Sequence, residues 1–430
     1  MRDMQVIPDI SAPPRSHSER SLLRAFLPFW ACIAAYKFAA VLHYSVLAPL
    51  GAMLLPLWVV GLLIGGESFF QMLLDVPAGH LVDRFGRKRM LAVGIIVFGF
   101  AGLLLFDFSL PAYIASIALS TIGWLFLAPG VNAYILTYAE RETSGRFLAL
   151  RDTFLSLGVV LASVVLPFVL LFPSPRWMGL TIVAILIVAL FLLAKSPRDR
   201  ALPNTTPIFP AQVYHIKRTF FIETLKALRR LNPASGMLFA YTLAGSIFYG
   251  VIWFTVPLII ATEPHREILG LGLGIFDLTI VVLGILIGTV VDKGNKRLLV
   301  FYGLFLFALA GMALGTSFGP LFLLFGFLAT AGDETAGLSL WSWLHSLDKE
   351  HAHDGAVAGA ISFAEDLGYT IGPILAGFVF LLIGPAWTIV IGALPLVAAW
   401  AAYSYFVNVP KLTLSLTGIP PMPMRRRHKA

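Results

Sequence analysis

The chain has 430 residues, 58% hydrophobic and only 13% charged, with a mean hydropathy of +0.85. A soluble domain carries about 25% charged residues, so too few polar side chains are present to coat a water-facing surface, and a multi-span membrane protein is the reading that remains. The net charge of +8 needs no nucleic acid to explain it once its placement is known, and the single Cys32 excludes an internal disulfide framework and a cysteine metal site.

Residues 1–23 are polar, with Pro8, Pro13 and Pro14. They lack a short apolar core with a small-residue cleavage site, so no signal peptide is expected. Twelve apolar stretches follow, each near the ~20 residues that cross ~30 Å of hydrocarbon. They are 24–48, 55–82, 89–107, 110–138, 146–171, 177–195, 235–261, 267–291, 297–315, 319–345, 355–383 and 386–408. The runs are continuous rather than alternating, which selects helices over strands. The longest imply tilt or extension into the interface. The predicted organisation is a cytoplasmic tail over 1–23, a six-helix bundle over 24–195, a cytoplasmic loop over 196–234, a second six-helix bundle over 235–408 and a basic cytoplasmic tail over 409–430. Within the central loop, Gln212 to Leu231 reads as a basic amphipathic helix lying on the membrane surface, with Phe220, Phe221, Leu225 and Leu228 among Lys217, Arg218, Lys226, Arg229 and Arg230.

Charge placement gives the expected orientation. Of the lysines and arginines, 27 fall on the side of the termini and central loop, while Arg176 and Arg266 fall on the other and Lys37 and Arg151 lie within spans. By the positive-inside rule both termini are cytoplasmic, in a cytoplasmic (inner or plasma) membrane. The tail Arg425-Arg-Arg-His-Lys429 is solvated or close to anionic lipid.

One pattern occurs twice, about 209 residues apart: Gly79-His-Leu-Val-Asp83-Arg84-Phe-Gly86-Arg87-Lys88-Arg89, and Gly288-Thr-Val-Val-Asp292-Lys293-Gly294-Asn-Lys296-Arg297. A repeat of this period after a long apolar segment points to two similar membrane-inserted halves. The same shift, give or take one residue, aligns Gly145 with Gly355, Gly158 with Gly368 and Glu140 with Glu350. The first copy resembles the cytoplasmic loop signature of the major facilitator superfamily. That resemblance implies an all-α polytopic fold of twelve transmembrane helices in two pseudo-symmetric six-helix bundles, with helices one, two, four, five, seven, eight, ten and eleven around a central cavity. It implies a cytoplasmic latch of Asp83 with Arg84 or Arg87, beside Lys88 and joined by Glu140, with Gly79 allowing close approach and Gly86 a tight loop. The second copy, Gly288, Asp292 and Lys293, is one residue shorter and lacks the central Arg, so its latch is expected to be weaker. In span eleven, Gly359, Gly368, Gly372-Pro373 and Ala376-Gly377 resemble an exporter pattern that the family carries in span five, a slight lean toward export.

Ionisable groups inside a span cost several kcal/mol, ~2.5–3.5 on insertion scales, unless a cavity or a partner receives them. Lys37 lies near the middle of span one, and Glu67, Gln71 and Asp75 share a face of span two. Arg151-Asp152 opens span five as a local ion pair or a latch component. Asp277 lies in span eight, while Asp333-Glu334 and Glu365-Asp366 reach similar depth in spans ten and eleven. In each pair one side chain is expected to face the cavity and the other a neighbouring helix. Four carboxylates at one level cannot all ionise cheaply, which is a physical basis for proton coupling. With Lys37 as the only cation at that depth, a cationic solute fits better than an anionic one. An organic cation is favoured over a hard divalent ion, because nothing fixes a metal geometry. Trp58, Trp124, Trp177, Trp253, Trp341 and Trp343 read mostly as interface belts, while Trp124, Tyr241, Tyr249 and Trp253 are candidates for aromatic cavity walls that suit a cation. His43, His345, His351 and His353 could sample metal, although the last three sit in or beside a solvated loop.

Motifs for nucleotide binding or zinc hydrolysis are not found, so no enzyme is expected. The reading is a proton-coupled secondary transporter working by alternating access, without a cofactor and monomeric, whose partners are a small-molecule or ion substrate, protons and the lipid bilayer. Asp333, Glu334, Glu365 and Asp366 carry coupling, with Asp277, Glu67 and Lys37 beside them. The rival readings are a divalent-metal carrier, an uncoupled facilitator and a non-transporting scaffold.

Overall fold

The computed structural model describes residues 25–107, 109–138, 144–170, 175–197, 233–262, 266–317, 319–347 and 354–407. Its helices are α1 (Leu27–Leu54), α2 (Leu57–Phe85), α3 (Arg87–Leu104), α4 (Leu110–Tyr138), α5 (Ser144–Leu170), α6 (Pro175–Lys195), α7 (Pro233–Thr262), α8 (Arg266–Lys293), α9 (Lys296–Gly315) and α10 (Pro320–Leu347). A last run, Asp354–Val407, breaks at Gly384, where φ is 80° and ψ 176°. It therefore forms two spans, α11 (354–383) and α12 (385–407), giving twelve among the described residues.

The expected spans and these helices coincide closely, with two informative differences. α1 continues through Pro49 to Leu54, whereas the sequence reading ended it at 48. Proline inside a membrane helix removes one hydrogen bond and bends the axis without ending it, because neighbouring helices protect the freed carbonyl. The helix ends at the next proline, where Leu55 turns extended ahead of Pro56. α3 is only 18 residues long and opens with Arg87, Lys88 and Arg89, so its apolar stretch is too short to qualify as a span by composition alone, unlike its neighbours.

The duplication is visible in backbone geometry. α3 and α4 cross where Gly94 meets Gly123, and α9 and α10 cross where Gly303 meets Gly332. A Cβ on Gly94 would lie 2.9 Å from the Gly123 carbonyl oxygen, and one on Gly303 would lie 2.9 Å from that of Gly332. Phe98 and Phe307 abut the two crossings. Likewise α5 packs on α1 through Gly158, against Ala34, Lys37 and Phe38, while α11 packs on α7 through Gly368, against Leu243, Ser246 and Ile247. Each partner in one half has its counterpart 209 residues on, save Gly158, whose counterpart Gly368 lies 210 on. Only glycine lets backbones approach this closely.

Among the described residues, the glycine contacts between the bundles gather at one end. Gly61 and Gly65 of α2 lie against Thr370, Pro373 and Ile374 of α11, and Gly377 of α11 lies against Leu57 and Trp58 of α2. Gly274 of α8 meets Val160 and Ser163 of α5. All these contacts lie in the halves remote from the two basic loops. Toward the basic loops, a Cβ on Gly79, Gly284 or Gly288 would meet nothing within 4 Å.

Candidate substrate cavity and basic loops

A cavity of about 430 Å³ lies between the bundles, within the ~300–1,000 Å³ that small-molecule sites occupy. Its walls come from α1 (Lys37, Ala40, Val41, Tyr44), α2 (Ile64, Glu67, Ser68, Gln71), α4 (Trp124), α5 (Val159), α7 (Tyr249, Gly250, Trp253, Phe254), α8 (Phe276, Asp277, Ile280), α10 (Thr330, Asp333) and α11 (Glu365, Asp366, Tyr369, Pro373). These are the eight helices expected from the resemblance. Five carboxylates and one ammonium line the space.

Each half holds one carboxylate in place with hydroxyl groups. In α2, Glu67 is 4% exposed. Its Oε1 accepts from the Tyr44 hydroxyl at 2.7 Å, the Gln71 Nε2 at 3.3 Å and the Ser120 hydroxyl at 3.4 Å. The Glu67–Gln71 contact bears out the shared face read from their spacing. In α10, Asp333 accepts from Tyr241 at 2.5 Å and from Tyr249 at 2.7 Å, one on each oxygen. Tyr241 therefore serves the site through Asp333 rather than as a wall. Tyr44 and Ser120, which bind Glu67, were missed in the sequence reading because a hydroxyl near a cavity carries no distinctive spacing.

The remaining acids differ in position. Asp333 lines the cavity and Glu334 does not, as the helical geometry of that pair required; Glu334 lies within electrostatic reach of Asp152 and Asp277. For Glu365 and Asp366 the expectation of one facing in and one facing out is corrected. Both line the cavity, because α11 stands between the bundles with an arc of its surface open to the space wider than the ~100° between successive residues. Glu365 is exposed and Asp366 half-buried. Asp75 stands off the lining, in electrostatic contact with Glu365 and Asp366. Asp277 of α8 lines the cavity opposite α5, with Ser156 of α5 within its electrostatic reach. Arg151 pairs with its neighbour Asp152 at 2.8 Å and also bonds Asn132 of α4.

Among the described residues, Lys37 is the one lysine or arginine in the cavity wall. Its ammonium stands 5.0 Å from the ring centre of Trp124, and its charge acts on Asp277 and Glu365 across the bundle interface. His43, one turn and a half further along α1, is buried against Phe98 and Tyr44 instead. Among the described residues no three His, Cys, Asp or Glu side chains converge as metal ligands. His345 by its side chain, and His351 and His353 altogether, lie outside the described residues.

The basic loops are built differently in the two halves. Gly86 joins α2 to α3 with φ 94°, a conformation that side chains disfavour. Lys88 then reaches along the bundle to the end of α6, where Nζ donates to the carbonyls of Ala194 at 3.1 Å, Ser196 at 2.6 Å and Pro197 at 3.4 Å. A cation on the carbonyls at a helix C-terminus is a favourable cap. In the shorter second loop, Asn295 caps α9 by accepting from the backbone N–H of Arg297 and Leu298, and Lys296 donates to the Ser342 carbonyl of α10 at 3.3 Å. Arg84 is exposed over the Phe85 ring, while Asp292 and Lys293 are exposed at the end of α8. Glu140 and the side chain of Asp83 lie outside the described residues, as do the central loop beyond 197 and both tails. The Gly372-Pro373 step packs on α7, since a Cβ on Gly372 would lie 2.6 Å from the Ile247 carbonyl oxygen and 2.8 Å from the Gly250 Cα. Trp58, Trp177 and Trp341 are exposed as a belt requires, but Trp343 is buried between Arg297 and Tyr403.

Twelve spans in two repeated bundles around a polar cavity define a polytopic membrane protein. The Major Facilitator Superfamily profile matches residues 25–373, and the chain belongs to that family. It is 30% identical over 174 residues to "Multidrug resistance protein MdtH" of Photorhabdus laumondii, covering 39% of this chain and 42% of that protein. To "Multidrug resistance protein 2" of Bacillus subtilis it is 26% identical over 106 residues, 24% of this chain and 26% of that protein. The matched region is thus less than half of either relative's length. Among solved structures, a bacterial homologue of the human lysosomal transporter Spinster, inward-facing and unoccupied, superposes with a TM-score of 0.67 at 14% identity over 90% of this chain and 97% of that one. A D-xylose-proton symporter does so with a TM-score of 0.60 at 16% identity, over 87% and 97%. At these identities the structures establish the fold alone.

Proposed function

We propose that this transporter moves an organic cation in exchange for, or together with, protons, and that the conformation described here is open toward the cytoplasm. The observation that carries the reading is the charge inventory of the cavity: five carboxylates against Lys37, among aromatic faces from Trp124, Tyr249 and Trp253. A cation is stabilised there both by carboxylates and by ring quadrupoles. Without it, several acids in a low-dielectric space repel one another, and protons are the natural replacement. An organic cation is favoured over a divalent metal because no three ligating side chains converge among the described residues. Similarity to two multidrug resistance proteins supports a drug-like organic solute.

Orientation follows from the positive-inside count, which puts the basic loops in the cytoplasm. The seam at Gly61, Gly65, Gly274 and Gly377 then closes the external side. Asp83, Arg84, Arg87, Glu140, Asp292 and Lys293 would meet across the cytoplasmic side in the opposite state. Gly79 and Gly288 are open here because their helices are parted.

The test is reconstitution in liposomes loaded with a pH-sensitive dye, challenged with organic cations and divalent metals, for wild type, Glu365→Gln and Asp333→Asn. Cation-dependent proton movement that the substitutions abolish is the expected result. Folded protein that moves cations without protons is an uncoupled facilitator, and protein that moves neither contradicts the reading.

A further inference from the structure

Lys37 has no evident packing duty. In the repeat its niche belongs to Ser246: Gly158 presses on Ala34, Lys37 and Phe38 just as Gly368 presses on Leu243, Ser246 and Ile247. A serine therefore satisfies the same backbone contact, and the lysine's long cationic chain is an addition to it. The close approach of Gly158, whose Cβ would lie 3.0 Å from the Lys37 Cβ, leaves no room for the side chain along α5. It runs into the cavity, where the ammonium rests near Trp124. Burying an ammonium in a membrane interior is costly without a partner. Among the described residues, Lys37 makes no ion pair within 4 Å; the Arg151–Asp152 pair is the one recorded. The carboxylates it faces, Asp277 and Glu365, belong to the other bundle and line the same space.

We propose that Lys37 is a tethered stand-in for the transported cation: in the empty carrier its ammonium, borne by the first bundle and resting near Trp124, offsets the charge of Asp277 and Glu365 across the cavity, and substrate binds by displacing it from that space. This rests on the cationic substrate reading above and adds a competitor built into the chain. An internal cation satisfies the acids when no substrate is present, so the unloaded carrier can complete its cycle. It also sets an affinity threshold, because a solute must outcompete an ammonium already held nearby. A ligand whose site is free only one-tenth of the time binds about tenfold more weakly than its intrinsic affinity.

Two measurements on the purified full chain decide the matter. First, removal of the lysine side chain should open a site for a free alkylammonium. Butylammonium is expected to raise the melting temperature of Lys37→Ala by about 2–4 °C, the shift that a modest binding energy produces in a domain of this size. Butanol should not, and neither wild type nor Lys37→Arg should respond to butylammonium. Lys37→Gln replaces Lys37→Ala if the alanine variant does not fold. Second, ethidium is expected to bind Lys37→Met about tenfold more tightly than wild type, by the occupancy argument above, and Lys37→Arg as wild type does. Butylammonium that shifts all variants equally overturns the proposal. Ethidium bound and transported alike by every variant also removes it, while leaving the cation-transport reading intact. Ethidium ignored by all, with butylammonium stabilising only the truncated variant, upholds Lys37 as the internal cation and rejects organic cations of that kind as substrates.

Discussion

Gly377→Ala tests whether the seam between α2 and α11 is the moving part. A Cβ at this position would lie 2.6 Å from the Leu57 carbonyl oxygen, 3.1 Å from the Trp58 Cα and 3.2 Å from the Gly61 Cα. All three atoms are backbone of α2 with no rotamer to relax, so the helices must part by several tenths of an ångström. Overpacking of this kind costs about 1–3 kcal/mol. If the seam opens in the other access state, the cost falls on the present state alone, and the ratio of states moves by about 5- to 150-fold. The assay is a spin-label distance across the basic side, with labels at Arg89 and Lys293, both exposed. Cys32, the only cysteine, is first replaced. The expected result is a population at shorter basic-side distance that is minor in wild type and major in Gly377→Ala. The control is Gly123→Ala, whose Cβ would clash 3.0 Å from Gly94 and Phe98 within one bundle; it should lower the melting temperature without moving the distance. An unchanged distribution in folded Gly377→Ala, or the same change in both variants, refutes the argument.

Two further outcomes follow from the same geometry. Lys88→Met removes the donor to three carbonyls at the end of α6; a loss of about 1–2 kcal/mol is expected, read as a lower melting temperature that Lys88→Arg largely restores. Tyr249→Phe deletes the hydroxyl on one oxygen of Asp333, and an interaction of about 1.5–3 kcal/mol with a charged group is at stake. Under the proposed coupling, cation-driven proton movement in liposomes should fall about 10- to 100-fold, with no further loss when Tyr249→Phe is added to Asp333→Asn; additive losses in that double-mutant cycle would show that the hydroxyl acts elsewhere.

Much of the scaffold was legible because membrane helices write themselves as unbroken apolar runs, and because the repeat supplies its own check. Gly94, Gly123, Gly303 and Gly332 recur at one offset and form matching crossings. The lining role of Asp277, Asp333 and Glu365 was legible as well, since a charge in an apolar run has few places to go. The split within Asp333-Glu334 followed from helical geometry, and the same rule failed for Glu365-Asp366 because it depends on how much of α11 faces the space. Nor could the sequence give the destination of Lys88: a lysine in a basic loop looks the same whether it meets a carboxylate across a gate or the carbonyls of α6. The Gly61 and Gly65 pair has a small-xxx-small spacing, yet many membrane helices carry that spacing, and only its position opposite Gly377 gives it meaning.

The two halves share a backbone and divide the chemistry. At the common offset of 209, Trp124 corresponds to Asp333, Lys37 to Ser246 and Glu67 to Phe276. A carrier that rocks one bundle against the other gains from a symmetric scaffold, because the same crossings serve both access states and neither is strongly favoured by packing. That balance leaves the outcome to small electrostatic differences, since a ligand shifts an equilibrium only by its differential affinity for the two states. Charges on one bundle facing charges on the other supply such a difference at the point where the bundles separate. Lys37 facing Asp277 and Glu365 is an arrangement of this kind. The pseudo-symmetry thus makes the motion cheap, and its violation at a handful of cavity positions makes the motion respond to what the cavity holds.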